Sequence, residues 1–192
     1  YINFTEEMER LSNASQKITS ATPDLTFSAS DFTDENNRVI DVSSINKSAV
    51  FIKLSADVLQ MDRPLKIYGL EKGYDCSKVK SVFITVDTEG KADYTSNSQI
   101  KLFYTDGSER PNKEATDFSD STILWNFTSE GQPYNGTVTI EKPWQGSILA
   151  PKATIDGTNQ NIDGSIMADK FLDDGETHCW DWHGCFHSEE VG

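Results

Sequence analysis

The side chains best suited to chemistry are concentrated in ten residues near the C-terminus, positions 178–187. This segment holds three histidines and two cysteines, namely His178, Cys179, His183, Cys185 and His187. Imidazole and thiolate are the usual ligands of tetrahedral zinc. Structural zinc sites usually place two cysteines two to four residues apart, whereas five residues separate this pair and no second pair exists. A disulfide between Cys179 and Cys185 requires the segment to turn back on itself, and free thiols are a third alternative.

Acidic residues beside glycines form a second candidate site. Asp156, Asp163, Asp173 and Asp174 lie where turns are expected. Stacked turns could align such carboxylates around calcium, as in other repeat proteins. The Asp-Gly sequence also makes a favourable turn without any ion. We favour the turn interpretation and predict neither a metal nor a cofactor, with calcium as the alternative.

The remaining sequence shows no residue set typical of catalysis, because no nucleophile stands beside a base at a recognisable spacing. The larger aromatic residues could stack on sugars, but such residues more often pack inside a β fold. Those considered are Trp125, Phe127, Tyr134, Trp144, Trp180 and Trp182. The sequence therefore predicts a protein that is not an enzyme.

Composition excludes two classes of partner. Seventeen basic and 31 acidic residues give a net charge of −14, and no cluster of Lys or Arg stands out. Nucleic acids and anionic membranes need a positive face, so neither is expected to bind. No apolar run is long enough for a membrane span, and the first residues do not resemble a signal peptide. A chain of 192 residues is in the range of one domain.

These side chains must be positioned by one helix and many strands. Phe4, Met8, Leu11 and Ile18 lie on one stripe, which predicts an amphipathic helix over about 4–18. Short alternating runs separated by turn residues predict strands at 38–42, 49–54, 65–68, 79–86, 99–104, 122–127 and 136–140. A β sandwich would read similarly over residues 25–140.

A repeat in the last third decides between these folds. Gly146-Ser-Ile-Leu-Ala-Pro-Lys-Ala-Thr-Ile-Asp-Gly157 returns as Gly164-Ser-Ile-Met-Ala-Asp-Lys-Phe-Leu-Asp-Asp-Gly175, with seven of twelve positions identical. Short repeats that end in a turn are typical of β-solenoids. The repeat therefore predicts that Ile148 and Ile166 lie on neighbouring coils.

Several runs also carry a family resemblance. In chain order they are Tyr1-Ile-Asn-Phe4, Val50-Phe-Ile-Lys-Leu54, Ile123-Leu-Trp-Asn-Phe127, Gly146-Ser-Ile-Leu-Ala-Pro-Lys-Ala153, Gly164-Ser-Ile-Met-Ala168, Gly175-Glu-Thr-His178 and Trp182-His-Gly184. Together they resemble the choice-of-anchor A domain. The resemblance implies a single mainly β domain over residues 1–192. This domain would be a right-handed β-helix with coils over about 25–185 and a long amphipathic α-helix packed along its side, similar to ice-binding β-helix proteins.

The resemblance further implies a secreted, extracellular or cell-surface protein, expected here as part of a larger or processed chain. That context favours the Cys179–Cys185 disulfide over metal at the histidines. Cys76 is then left over, and we expect it to pair with another chain or an upstream segment. In a eukaryotic source, glycans are expected at the five sequons Asn3, Asn13, Asn46, Asn126 and Asn135. His178 corresponds to the family's histidine and is expected to be structural, beside Glu176.

Three function classes are left. The preferred one is a non-catalytic surface adhesion or assembly module that presents flat faces to an extracellular matrix, a glycan, a protein ligand or copies of itself. The first alternative is binding to ice or a crystal surface, which requires regularly spaced threonines. Only Thr137 and Thr139 have that form, and Thr154, Thr158 and Thr177 are not expected in one register. The second alternative is a polysaccharide-cleaving enzyme.

Overall fold

The computed structural model describes residues 4–73, 75, 77–111, 122–158 and 160–173. Helix α1 runs from Phe4 to Ser20, where the sequence predicts a helix over about 4–18. Met8, Leu11 and Ile18 on its apolar stripe pack together in one cluster. Glu6 and Glu7 in the first turn and Lys17 in the last complement the partial charges of the helix ends.

The rest of the described chain is mainly β. The strands are β1 Leu25–Phe27, β2 Arg38–Asp41, β3 Ala49–Leu54, β4 Leu65–Leu70, β5 Ser81–Asp87, β6 Asp93–Ser96, β7 Ile100–Tyr104, β8 Ile123–Ser129, β9 Gln132–Pro133, β10 Thr137–Ile140, β11 Trp144–Gln145, β12 Ser147–Asp156, β13 Ile162–Asp163 and β14 Ile166–Leu172. A short helix, α2, spans Ala56–Gln60, and a 3-10 turn spans Ala29–Asp31. All seven strands expected from alternation are present within two residues at each end.

The strands form three sheets. The largest has nine strands in the order β1-β3-β5-β8-β12-β10-β6, with β14 paired to β12 and β9 paired to β8. Its ladders are parallel except the one between β8 and β9. Separate parallel sheets contain β2-β4-β7 and β11-β13. This parallel pairing excludes the antiparallel β sandwich that the sequence left open for residues 25–140.

The predicted pairing of the repeat is confirmed. Ile148 of β12 lies opposite Ile166 of β14, and Ala150 lies opposite Ala168, in parallel register. The register shifts between Ala150 and Thr154, so β12 carries an irregularity there. One edge of β12 therefore pairs with β8 at its start and with β10 at its end.

The predicted right-handed β-helix is wrong. Most strands belong to one curled, half-barrel sheet, and no closed set of coils is formed. The two smaller sheets are separate, and no ladder joins them to the large sheet among the described strands. The physical reason lies in β12, which pairs with β8 at its start and with β10 at its end and so joins into one sheet strands that were expected on separate faces. The expected long helix is likewise corrected to a helix of 17 residues beside one of five.

The inner side of the curled sheet and the two small sheets share one core. Trp125 and Trp144 lie at its centre with ring centroids 4.7 Å apart, and both are about fully buried. Trp125 Nε1 donates a hydrogen bond to the Gln145 carbonyl at 3.0 Å. Gly146 is needed at this point, because a Cβ there would approach the Trp125 ring within 2.8 Å and its φ is +111°.

Helix α1 covers the outer side of the same sheet. Leu11 and Ile18 pack on Phe83, Leu124 and Leu149 of β5, β8 and β12. Among these side chains lies a hydrogen-bonded group that we call the Asn126 network, made of Ser15, Thr19, Thr85 and Asn126.

Candidate functional site

The outer surface of β6, β10 and the end of β12 presents four threonines. Alternation of the strands places them there, since Tyr94, Val138 and Ile155 point inward and are fully buried. Their neighbours Thr95, Thr137, Thr139 and Thr154 are partly exposed on the opposite side. We call these four residues the threonine face.

The register of the strands aligns the threonines in two rows. Thr137 lies opposite Thr154, and Thr95 lies opposite Thr139. Adjacent parallel strands are about 4.8 Å apart, and residues two apart on a strand are separated by about 6.7 Å. Hydroxyl and methyl groups are therefore repeated in both directions. Within the described residues, none of these four hydroxyls hydrogen bonds to another protein group, so all four are available to a ligand.

Charged residues border the threonine face. Asp93 precedes Thr137 in the first row and Lys170 of β14 follows Thr154. In the second row, Asp156 follows Thr139 and Leu172 follows Asp156. The centre of the face is therefore neutral and its margin carries both signs of charge.

The layer beneath the threonine face is fixed by hydrogen bonds. The Tyr94 hydroxyl donates to the Ala56 carbonyl at 2.6 Å. Burial raises the pKa of Tyr94 well above its ordinary value, so the phenol stays neutral and keeps this donor. The Tyr134 hydroxyl donates to the Lys91 carbonyl beside the start of β6. These buried contacts hold the strands that present the threonines.

Sequence reasoning found only half of this face. It identified Thr137 and Thr139 but did not join Thr154 to them, although β12 pairs with β10 there. Thr95 was missed entirely, since β6 has only four residues and was not predicted as a strand. Thr158 lies in the turn after β12, and Thr177 lies outside the described residues.

The acidic candidates that the structure describes, Asp156, Asp163 and Asp173, do not assemble into a cation site. Asp156 Oδ1 accepts hydrogen bonds from the Thr158 amide and hydroxyl, at 3.1 and 2.8 Å, which is a turn function. Asp163 is buried and forms an ion pair with Arg110 at 2.7 Å. Asp173 is exposed at the end of the described chain. Across the described ranges, no three His, Cys, Asp or Glu side chains come together as a metal site would require.

Several predicted sites fall outside the described residues. These are Cys76, Cys179, Cys185, His178, His183, His187, Trp180, Trp182, Asp174 and Asn3. The Cys179–Cys185 disulfide and the pairing of Cys76 with another chain or an upstream segment stay predictions. By contrast, the prediction that the aromatic residues pack inside is confirmed for Trp125, Phe127, Tyr134 and Trp144, each at most 1% exposed.

The sequons differ in exposure. Asn13, Asn46 and Asn135 are exposed on the helix and on loops. Asn126 is fully buried under α1, so its expected solvent-facing position is wrong. Trp125 points into the core, and the opposite side of the strand, which carries Asn126, is covered by the helix.

The Asn126 network explains this burial. Ser15 Oγ donates to Asn126 Oδ1 at 2.6 Å, across the interface between helix and sheet. Asn126 Nδ2 donates to Thr19 Oγ1 at 3.0 Å and to Thr85 Oγ1 at 3.1 Å. The amide thus has partners for its acceptor and donor groups, as a buried polar group requires. A glycan on this nitrogen would replace one of its two donor hydrogens and would have to displace α1, because the amide is fully buried.

An open cleft of about 800 Å³ lies beside α1, between the helix and the β9 and β12 region. Its ionisable lining residues are Glu9, Lys152 and Asp169, together with polar groups of the helix.

Comparison with known proteins gives one match. A family model described as Putative Ice-binding-like adhesive domain matches residues 1–179, which is nearly the whole chain. No curated protein and no solved structure matches the chain. Neither helix described here is long and apolar enough to cross a membrane. The match does not single out the choice-of-anchor A domain, but it fixes the broader assignment, and the chain belongs to the ice-binding-like adhesive domain family.

Proposed function

We propose that this protein is a non-catalytic extracellular adhesion domain that binds an ordered, neutral, hydroxyl-rich polysaccharide through its threonine face. The observation that carries the proposal is the two-row register of Thr95, Thr137, Thr139 and Thr154. The family assignment supports adhesion in general. Secretion and surface display, and a closer relationship to choice-of-anchor A domains, belong to the same proposal.

The threonine face is suited to a repeating ligand because its groups are already ordered. A β-branched threonine in a strand has few side-chain rotamers, so little entropy is lost when it binds. The parallel ladder fixes the spacing between hydroxyls without any loop. Polysaccharide chains packed in an ordered surface present hydroxyl and C–H groups at regular intervals, which can match such a pattern.

The charge distribution favours a neutral partner for this face. Asp93 and Asp156 stand at the margin of the rows, where an anionic polymer lying on the threonines would meet them. Insoluble cellulose and chitin are therefore suitable test surfaces.

The test is depletion of the purified protein from solution by insoluble cellulose or chitin. Thr139→Lys puts a charge in the centre of the threonine face and should weaken binding about tenfold, because the ammonium group loses water on contact. The matched control is Thr33→Lys, which makes the same change at an exposed loop residue away from the face. Equal binding by the two variants would contradict the proposal. No reducing sugar should appear in the supernatant, since no cleavage is proposed.

Ice binding is the second candidate, favoured by the same rows of threonines. Ice also presents a regular lattice of oxygen atoms to hydroxyl and methyl groups. The charged neighbours Asp156 and Lys170 interrupt the rows, which makes this candidate weaker. Thermal hysteresis and ice shaping that are present in the native protein and lost in Thr139→Lys would establish it in place of polysaccharide binding.

A further inference from the structure

The outer side of the three-stranded sheet carries a second surface of different chemistry. Strand alternation buries Ile40, Ile67 and Leu102 on the inner side. The partly exposed residues on the other side include Lys66 and Tyr68 of β4 and Lys101 and Phe103 of β7. We call these four residues the lysine–aromatic face.

Register places like groups beside each other on this face. Lys66 lies directly opposite Lys101 on the adjacent strand. Tyr68 and Phe103 stack with ring centroids 4.3 Å apart and planes 3° from parallel. The face therefore has a row of two ammonium groups next to a row of two aromatic rings.

The two lysines form an unbalanced pair. Like charges directly opposite on neighbouring strands destabilise a sheet. Neither Lys66 nor Lys101 forms an ion pair within the described residues, although Lys47, Lys72, Lys78 and Lys142 each pair with a carboxylate. Among the described residues, strand pairing places Asp41 opposite Tyr68 and Glu109 opposite Phe103. Asp41 is itself occupied by hydrogen bonds from Ser43.

We propose that the lysine–aromatic face binds an acidic polysaccharide built from uronic acids. A sugar carboxylate between Lys66 and Lys101 would relieve their repulsion and accept charge-assisted hydrogen bonds. The neighbouring Tyr68 and Phe103 rings would contact the C–H groups of the same sugar chain. The net charge of −14 does not prevent this, because charges more than about 8 Å away are largely screened at physiological salt.

This inference is independent of the threonine face, which lies on another sheet. The lysine–aromatic face would bind an anionic polymer, whereas the threonine face would bind a neutral one. Binding to both would let one domain join two kinds of matrix polymer.

Affinity electrophoresis in native gels containing polygalacturonate tests the inference. The native protein should be retarded, and the double variant Lys66→Gln/Lys101→Gln should bind about fivefold more weakly, as two exposed charge pairs are lost. The matched control is Lys53→Gln/Lys152→Gln, which removes two exposed lysines elsewhere and should migrate like the native protein in polygalacturonate.

Two further measurements keep the result specific. Tyr68→Ala should also weaken binding to polygalacturonate, because the aromatic row is lost. Depletion by cellulose or chitin should be unchanged in the Lys66→Gln/Lys101→Gln variant, so failure here and failure of the threonine face can be told apart. The inference is overturned if the native protein is not retarded, or if the control pair of lysines weakens binding as much as Lys66 and Lys101 do.

Discussion

The inner side of the nine-stranded sheet and the part of its outer side under α1 are both buried, but they contain different side chains. The inner side holds most of the apolar core, with Trp125, Phe127 and Ile148 among its members. The outer side under α1 has a much smaller apolar cluster around Leu11 and Ile18. The Asn126 network lies between these apolar contacts on the outer side. On the inner side, the neighbouring residue of the same strand is Trp125.

The difference separates two roles of burial. Apolar contact inside the curled sheet is extensive and non-directional, so it can stabilise the fold without setting one geometry. The contact between α1 and the sheet is smaller and includes directional hydrogen bonds. Those bonds fix where along the sheet the helix lies, since a shift of one turn would leave the Asn126 amide buried without partners. We infer that the inner side supplies stability and the outer side supplies register.

The largest effect is expected from truncation inside the sheet. Trp125→Ala removes a ring that packs on Trp144 and a hydrogen bond to Gln145, and should reduce the free energy of unfolding by about 3–5 kcal/mol. Urea unfolding followed by circular dichroism measures this. Leu172→Ala, at a residue 46% exposed, is the control and should change stability by less than about 0.5 kcal/mol. A Trp125 variant as stable as that control would remove the distinction between the two sides.

A smaller effect is expected at the helix. Asn126→Ala leaves Ser15 and Thr85 without their partner and should destabilise the protein by about 1–3 kcal/mol. The double variant Ser15→Ala/Asn126→Ala should lose less than the sum of the single changes, with a coupling of about 1 kcal/mol. Urea unfolding of the four proteins in this cycle provides the measurement.

The matched control is a second cycle in which Asn13→Ala replaces Ser15→Ala. Asn13, like Ser15, lies on α1, but it is exposed. The changes at Asn13 and Asn126 should be additive, because these two residues share no contact in the described structure. Additivity in the Ser15 cycle as well would show that α1 is held by its apolar stripe alone.

The same contrast explains which features the sequence could predict. Apolar periodicity located the α1 stripe and the seven strands, and the repeat gave the Ile148–Ile166 pairing, because each signal is local. The sheet order was not predictable, since it depends on which distant segments meet. The burial of Asn126 was not predicted. Alternation puts Asn126 and Trp125 on different sides of β8, but no local pattern indicates that a helix more than a hundred residues away covers the side that carries Asn126.

The candidate site follows the same rule. Thr137 and Thr139 are visible as neighbours two apart in the sequence. Thr95 and Thr154 join them only through the pairing of β6, β10 and β12, and the irregularity in β12 shifts its register. Asp156 and Asp163 each precede a glycine in the sequence, but one ends a strand at a turn and the other is buried with Arg110.

The smallest effect on stability is expected from lowering the pH. The contact between α1 and the sheet should not change with pH. Hydrogen bonds from Ser108 lower the pKa of Asp106 to about 2, and hydrogen bonds from Ser43 lower the pKa of Asp41. An Asp in an unfolded chain has a pKa of about 3.9, so both groups stabilise the folded state above that pH. This contribution is lost as the pH falls towards 2. The Asn126 network contains no group that titrates in this range.

The melting temperature should therefore fall between pH 5 and pH 2, and the fall should be smaller in Asp106→Asn, which has no carboxylate to protonate. The coupling between Ser15 and Asn126 should have the same value at pH 5 and pH 3, because serine and asparagine keep their hydrogen bonds at both. Loss of that coupling at pH 3 would mean that α1 is held through carboxylates outside the network, and the assignment of register to Asn126 would then be wrong.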